Sequence, residues 1–364
     1  MRKVSFMLAV MVLVLSLSSV LGNTFAKEQE FLRGKSVNVN VMSYNIHHGE
    51  GVDGVLDLER IARVIEEGEA DIVGLQEVDN HFSERSDFQD QAKWLANRLG
   101  MFYTYAANLD YEPLKEGEPR RQYGTAVLSK YPILKSENHL LPKIGNTEQR
   151  GLTEVTINVK GNPLRVYNTH LSHVTSAERQ IQMEEVIAIT EKSKGPKVIM
   201  GDLNAAPESN EMKLMYANYI DAFANQNDAY THPAENPTMR IDYIFTSNKI
   251  ETNGDRVIDT LASDHLPLMT TIVVTEDVDS AMIQALVERF EKEGEFKNAQ
   301  AARALNTHLT AVAQYEKKEA GDKVVKHMKG FKVLLDAQKK SKLISDKAYN
   351  ELMASTDAMI EGWK

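Results

Sequence analysis

Residues 152–159, LTEVTINV, run through Lys160-Gly161-Asn162-Pro163 into residues 164–168, LRVYN. Both runs are rich in Val, Ile and Thr and alternate apolar with polar positions, the pattern of half-buried strands. The four residues between them are too few for a parallel crossover, which needs a dozen or more. The pair is therefore antiparallel.

Outward from this hairpin, other strand-like runs lie at 37–44, 71–76, 125–129, 197–201, 240–246 and 266–274. Amphipathic helical runs lie between them at 57–68, 88–99 and 176–192; in the first, Leu58, Ile61, Ala62 and Ile65 share one face. Such alternation alone suggests a parallel sheet or a barrel. The antiparallel pair points instead to a four-layer α/β sandwich, two mixed β-sheets flanked by helices, over residues 33–275. Beyond Glu276 the strand signal stops. Stripes at Ile283, Leu286, Val287 and Phe290, at Leu305, Leu309 and Val312, at Val324, Val325, Met328, Phe331 and Leu335, and at Tyr349, Leu352, Met353, Met359 and Ile360 predict a small all-α helical bundle over 278–364. Gly294, Gly321 and Leu343-Ile344-Ser345 supply its breaks, with Ser345 as an N-cap.

Arg2 and Lys3 precede an apolar run that grades into Ser16, Ser18 and Ser19, and Thr24-Phe25-Ala26 offers small residues for a peptidase. Residues 1–26 are expected to be a signal peptide, cleaved after Ala26, and the protein to be secreted. The alternative is an uncleaved anchor. The 364 residues contain 0 Cys, which removes disulfides, thiolate metal sites, cysteine nucleophiles and a lipid-bearing Cys. Any metal must be held by oxygen and imidazole. The formal net charge is −10, and its whole excess lies ahead of Glu276. An acidic chain has no broad attraction for a polyanion, which weighs against a tight nonspecific nuclease.

Six short patterns place oxygen or imidazole groups where the chain leaves a strand. They are Ser43-Tyr44-Asn45-Ile46-His47, Gln76-Glu77-Val78, Asn168-Thr169-His170-Leu171, Gly201-Asp202-Leu203-Asn204, Arg240-Ile241-Asp242-Tyr243-Ile244 and Ser263-Asp264-His265. Strand ends are where open α/β sheets gather side chains around a ligand. Asn, Glu and Asp oxygens suit a hard cation. Phosphoester hydrolysis needs such a cation, an in-line water and positioned proton carriers, and two histidines with a carboxylate partner supply the last. Taken singly, each residue has a plainer reading: Asp202-Leu203-Asn204 and Asp264-His265 as turns or caps, Glu77 as an ion-pair partner, His170 as a structural hydrogen-bonder.

In this order the six patterns resemble the endonuclease/exonuclease/phosphatase superfamily, which includes deoxyribonuclease I, abasic-site endonucleases and neutral sphingomyelinases. The resemblance covers residues 37–274. It implies that Glu77 is the principal metal ligand, with Asn45 beside it and Asp264 completing the shell, for Mg²⁺ (or Mn²⁺/Ca²⁺). His265 would act as general base or orient the water, held by Asp242. His170 would donate to the phosphate, and Asp202 and Asn204 would position the water and the non-bridging oxygens. The inositol-phosphatase branch carries Asp-Arg where this chain has Asp242-Tyr243, so a phosphodiester of nucleic acid or of a phospholipid or sphingolipid headgroup is the expected substrate.

Further candidates are fewer. Arg150 is expected to bind a phosphate, and Arg120 and Arg121 either do the same or lie solvated. Tyr123 either touches phosphate or packs, and His47 and His48 contact substrate, a second metal or only solvent. His173 and Arg179 carry no assigned role. The tail resembles the FIMAH module of secreted Gram-positive enzymes, and its Lys-rich stretch 323–342 either binds a cell-surface polyanion or keeps the bundle soluble. The competing reading of the whole chain is a non-catalytic surface- or partner-binding protein that retains the hydrolase fold.

Overall fold

A computed structural model describes residues 36–193, 195–248, 250–274, 278–318 and 320–363. The signal peptide expected over 1–26 lies outside the described residues. In chain order the strands are β1 Val37–Asn45, β2 Ile72–Asn80, β3 Phe102–Tyr111, β4 Arg121–Ser129, β5 Ile133–Leu140, β6 Gly151–Val159, β7 Asn162–His170, β8 Lys197–Asp202, β9 Ile220–Asp221, β10 Asp242–Thr246, β11 Glu251–Val257 and β12 Leu268–Val274. Helices α1 Leu58–Glu67, α2 Gln91–Leu99, α3 Ser176–Thr190 and α4 Met212–Asn218 are interleaved with them.

The deciding hairpin forms with a tighter turn than expected. Val159 pairs with Asn162, so only Lys160 and Gly161 turn, at φ +51° and +100°. Positive φ at both turn residues matches the right-handed twist of the flanking strands. Pro163 is tolerated inside β7 because β8 pairs only from Arg165 onward, so no ladder on that side needs its missing N–H.

Two six-stranded sheets result, ordered β11-β12-β1-β2-β4-β3 and β5-β6-β7-β8-β10-β9. Each holds one parallel pair, β1 with β2 and β7 with β8, among antiparallel neighbours. Strand alternation sets the layers. Val39, Val41, Val155, Val166, Val198 and Ile244 meet between the sheets. Met42, Tyr44, Val73 and Leu75 point the other way, onto Ile61 and Ile65 of α1 and Leu95 of α2. On the second sheet Tyr167, Ile199 and Phe245 bury against Met183 and Val186 of α3 and Met215 of α4. The order is helix, sheet, sheet, helix.

The four strands without a sequence signal are β3, β5, β9 and β11, and all four are sheet edges. An edge strand keeps polar residues, as the exposed pattern of Glu251–Val257 shows, and so lacks the apolar alternation that marks its neighbours. Helix α2 begins three residues later than expected. Asp87 and Phe88 hold φ +50°, and the Asp90 carboxylate accepts from Lys93 N at 3.1 Å to start the helix.

One buried side chain stitches the sheets together. Asn168 of β7 donates to the carbonyls of Leu75 (2.8 Å) and Ala126 (2.9 Å) in the other sheet, and accepts from Gln76 Nε2 at 2.7 Å. Asn168→Ala takes this donor from the buried Leu75 and Ala126 carbonyls and one acceptor from Gln76 Nε2, which keeps the Gly74 carbonyl at 3.2 Å; each buried group left unsatisfied costs about 1–3 kcal/mol. The urea midpoint should fall by the equivalent of about 3–5 kcal/mol; a loss below about 1 kcal/mol would show that the sheets do not depend on this stitch.

By packing, the described residues fall into two compact units, divided between Thr275 and Glu276. The second holds α5 Ser280–Lys292, α6 Ala299–Glu316, α7 Gly321–Lys340 and α8 Asp346–Gly362. Val287, Phe290, Leu305, Leu309, Phe331 and Leu352 form its own core, from the stripes read in the sequence. Ser345 Oγ accepts from Ala348 N at 3.1 Å, the cap expected of it. Gly321 opens α7 rather than lying in a longer break.

Candidate active site

The registers bring the motif residues to one edge of the sandwich. Asn45 ends β1 opposite Gln76 of β2; His170 ends β7 opposite Asp202, which ends β8; and Asp242 opens β10 opposite Asp202 from the antiparallel side. Asn45 Nδ2 joins the sheets here, donating to Glu77 Oε1 and to Asp202 Oδ2, both at 3.1 Å. Glu77 sits at a register shift in β2 with φ +56°, and Asn204 has φ +50°. A left-handed glutamate costs about 1–2 kcal/mol, a strain that folds keep where a side chain must be aimed.

Behind them lies a carboxylate–imidazole pair. His265 Nδ1 lies 2.9 Å from Asp242 Oδ2, and His265 Nε2 lies 3.8 Å from Asp202 Oδ2. Burial opposes charge on His265, but Asp242, by charge and hydrogen bond, with Asp202 and Asp264, raises its pKa to about 10. Burial, and then the charge of Asp242, raise Asp202 to about 7 against the pull of His265. The pair thus holds an imidazolium beside a carboxylate whose proton affinity is near neutrality.

His170 is set differently. Arg150 donates from Nη1 to His170 Nδ1 at 3.0 Å and from Nη2 to His173 Nδ1 at 3.3 Å, and its guanidinium pairs with Glu148 at 2.9 Å. A guanidinium only donates, so Nδ1 of His170 must carry the lone pair and Nε2 the proton. Burial, then Arg150, His265 and His173, push the His170 pKa well below its usual value. The neutral Nε2–H faces Asp202 Oδ2 at 3.4 Å, which can accept it; Asn204 Nδ2, 3.0 Å from the same nitrogen, is itself a donor and is no partner for that proton.

These groups line a cavity of about 370 Å³, walled by Glu77, Tyr123, Glu148, Arg150, His170, His173, Asp202, Asn204, His232, Met239, Ile241 and His265. Arg150 stands on this wall, only 4 % exposed, with Nη1 and Nη2 on histidines and Glu148 beside Nη1. Its first duty is to orient His170, which the sequence could not show. Arg150→Lys, a point ammonium in place of a fork, is expected to lower kcat about 10–100-fold with little change in KM. A rise in KM at constant kcat would return Arg150 to phosphate binding.

Tyr123 both lines the cavity and packs, 5.7 Å from the Phe82 ring and under the Arg85 guanidinium. Asp264 lies 4.0 Å from His47 Nδ1 and clusters with His232 and His265. His48 groups with His47 and Glu77. Arg120 spends its charge on Asp110 and Glu112, Arg121 donates to the Glu112 carbonyl, and Arg179 pairs with Glu211. None of these three lines the cavity. Glu148, His232 and Met239 carry no signal in the sequence, and Ile241 enters only as a neighbour of Asp242 in its motif. His232, its ring 4.6 Å from that of His265, comes from a loop without a strand-end pattern to flag it.

A family model for the Endonuclease/Exonuclease/phosphatase family matches residues 42–265, the span from the Asn45 motif to His265. The chain belongs to the endonuclease/exonuclease/phosphatase family. A second family model, the FIMAH domain, matches residues 280–361. Protein cwh43 of Schizosaccharomyces pombe is 31% identical over 159 residues, 43% of this chain but only 15% of the length of that protein. Uncharacterized protein YbhP of Escherichia coli strain K12 is 28% identical over 222 residues, 57% of this chain and 84% of its own. The crystal structure of an endonuclease/exonuclease/phosphatase from Beutenbergia cavernae DSM 12333 aligns with a TM-score of 0.54 at 25% identity, covering 65% of this chain and 72% of that one. Like other members of the endonuclease/exonuclease/phosphatase family, this chain has a hydrolase fold, and acidic and histidine clusters that could hold a divalent ion stand at its site.

Proposed function

We propose that the chain is a secreted, divalent-metal-dependent phosphodiesterase that splits its substrate by in-line attack of water. The observation that carries this reading is the meeting of Asp202, the Asp242-held His265 and the Arg150-bound His170 on the wall of one cavity, with Asp242 behind it.

The donor chemistry fits a hard cation. Glu77 accepts from Asn45 through Oε1 alone and has no Lys or Arg at ion-pair distance among the described residues, so its charge is available. Glu77 and Asn45 would hold Mg²⁺ (or Mn²⁺/Ca²⁺), with Asp264 as a further carboxylate. Bound there, the ion supplies positive charge to the phosphoryl oxygens. The protein's own groups do the rest. Asp202, poised near neutrality, takes the proton of the attacking water, the base role expected from sequence for His265. The His265 imidazolium and the His170 Nε2–H donate to oxygens whose charge grows in the transition state. Asn204 fixes the approach between them.

A cavity of about 370 Å³ admits a phosphoryl group with one modest substituent. The acid excess and Met239, 45 % exposed on the cavity wall, favour a phospholipid or sphingolipid headgroup over a polynucleotide. For the tail we propose retention on a polyanionic surface. On α7, Lys326, Lys329 and Lys340 are exposed, whereas Lys332 and Lys339 are paired with Asp357 and Asp346. Surface retention should then weaken as salt rises.

Protein lacking residues 1–26 should be assayed with sphingomyelin, phosphatidylinositol, DNA, RNA and a chromogenic phosphodiester side by side. A lipid headgroup or the chromogenic diester should be hydrolysed, EDTA should stop the reaction, and added Mg²⁺ should restore it. Turnover unaffected by EDTA would remove the metal from the mechanism, and no turnover on any phosphoester would favour the non-catalytic reading.

A further inference from the structure

The short turn after β1 carries chemistry that the mechanism above leaves unused. His47 and His48 both hold φ +43°, with ring centroids 4.5 Å apart. Each brings a ligand atom to within 4.8 Å of the others in a cluster completed by a Glu77 carboxylate oxygen.

Hydrogen bonding decides which nitrogens are free. His47 Nδ1 lies 3.3 Å from the Glu50 carbonyl oxygen, so Nδ1–H donates there and Nε2 keeps the lone pair. His48 is 6 % exposed, its Nε2 lies 3.6 Å from the Glu50 carboxylate, and its buried Nδ1 has no hydrogen-bond partner. A buried imidazole nitrogen without a partner is a cost that folds avoid unless a ligand repays it. The carbonyl and carboxylate of Glu50 stand to the two rings as outer partners stand to metal-bound histidines, fixing tautomer and orientation. Glu77 Oε1 is taken by Asn45, which leaves Oε2 uncommitted.

The turn is also held rigid. Buried Gln91 donates to the His48 carbonyl at 2.6 Å and accepts from Asp79 N at 2.9 Å. Gly49 has φ +82°, and a Cβ there would come within 2.7 Å of Leu58. Its place beside two strained histidines therefore belongs to glycine.

We propose that His47, His48 and Glu77 form a binding site for a borderline divalent transition ion of the Mn²⁺ or Zn²⁺ class, additional to the hard-cation position of Glu77 and Asn45. Two imidazoles and one carboxylate favour such ions over Mg²⁺ or Ca²⁺. Ligand distances of about 2.0–2.2 Å require the three donors to close by modest side-chain rotation. Glu77 would then be shared between the two positions. The site stands whether or not the chain hydrolyses phosphodiesters.

Mn²⁺ added to the metal-free full chain tests it by pulsed electron paramagnetic resonance. With Mg²⁺ then added in excess to fill the Glu77–Asn45 position, directly bound imidazole should appear as ¹⁴N modulation at one equivalent of Mn²⁺. His47→Gln, at a half-buried position, should remove most of that modulation and weaken Mn²⁺ binding at least about tenfold, as a lost metal ligand does. His48→Gln should do the same, with circular dichroism confirming that it folds. Mn²⁺ bound without ¹⁴N modulation, or bound equally well by folded His47→Gln, would overturn the assignment.

Discussion

Asp242→Asn is expected to lower kcat by about 10³–10⁴-fold while KM changes by less than about threefold, as when a carboxylate that fixes a catalytic imidazole is neutralised. The size follows from two effects of one carboxylate. Asp242 Oδ2, 2.9 Å from His265 Nδ1, keeps that nitrogen protonated and sustains the positive charge of the ring. An amide there can present its N–H instead, which reverses the tautomer and discharges the imidazole. Asp242 also raises the pKa of Asp202. Without it Asp202 becomes a weaker base just as its neighbour stops being an acid. The side chain is 1 % exposed, so the variant's fold should be checked by its thermal midpoint. A folded Asp242→Asn enzyme within about tenfold of wild type would remove the pair from the mechanism.

Glu77→Gln is expected to weaken divalent-ion binding by about 100-fold or more and to lower kcat/KM by about 10²–10³-fold at limiting Mg²⁺. Gln keeps the volume, the backbone position and an acceptor toward Asn45, but gives up the one carboxylate charge that faces Asn45 without a basic partner. Because the left-handed φ of +56° is kept, global stability should move by less than about 0.5 kcal/mol. High Mg²⁺ should restore part of the lost rate. Isothermal titration with Mg²⁺ separates the outcomes: equal affinity in both proteins would take Glu77 out of the metal site.

The sandwich was legible in the sequence where burial writes a pattern and illegible where it does not. Central strands such as Val37–Asn45 and Gly151–Val159 alternate where one face is buried between the sheets and the other is less buried, so their runs stood out. Edge strands such as Ile133–Leu140 pack on one side and keep Lys, Ser, Glu and Asn on the other. The tail helices were readable because each buries a single stripe.

The site divided in the same way. Asn45, His170 and Asp202 end strands and Asn204 follows one, whereas Glu77 lies inside β2, Asp242 opens β10 and His265 precedes β12; the registers carried them to one place. Asp264 came near His265 and His47. Loop residues follow no period. His232 and Glu148 reach the cavity through long-range folding alone, and only coordinates reveal that Arg150 serves His170 before any phosphate. The division of proton roles between Asp202 and His265 was equally hidden, because it arises from burial and mutual charge rather than from residue type.

The most direct measurement follows the oxygen. A small phosphodiester turned over in ¹⁸O-water with Mg²⁺ should give a phosphoryl product carrying one solvent oxygen and an unlabelled alcohol, because water attacks phosphorus and the P–O bond breaks. With Asp242→Asn the labelled product should form about 10³–10⁴ times more slowly. Label in the alcohol, or labelled product formed at the same rate without a divalent ion, would contradict a metal-dependent phosphodiesterase.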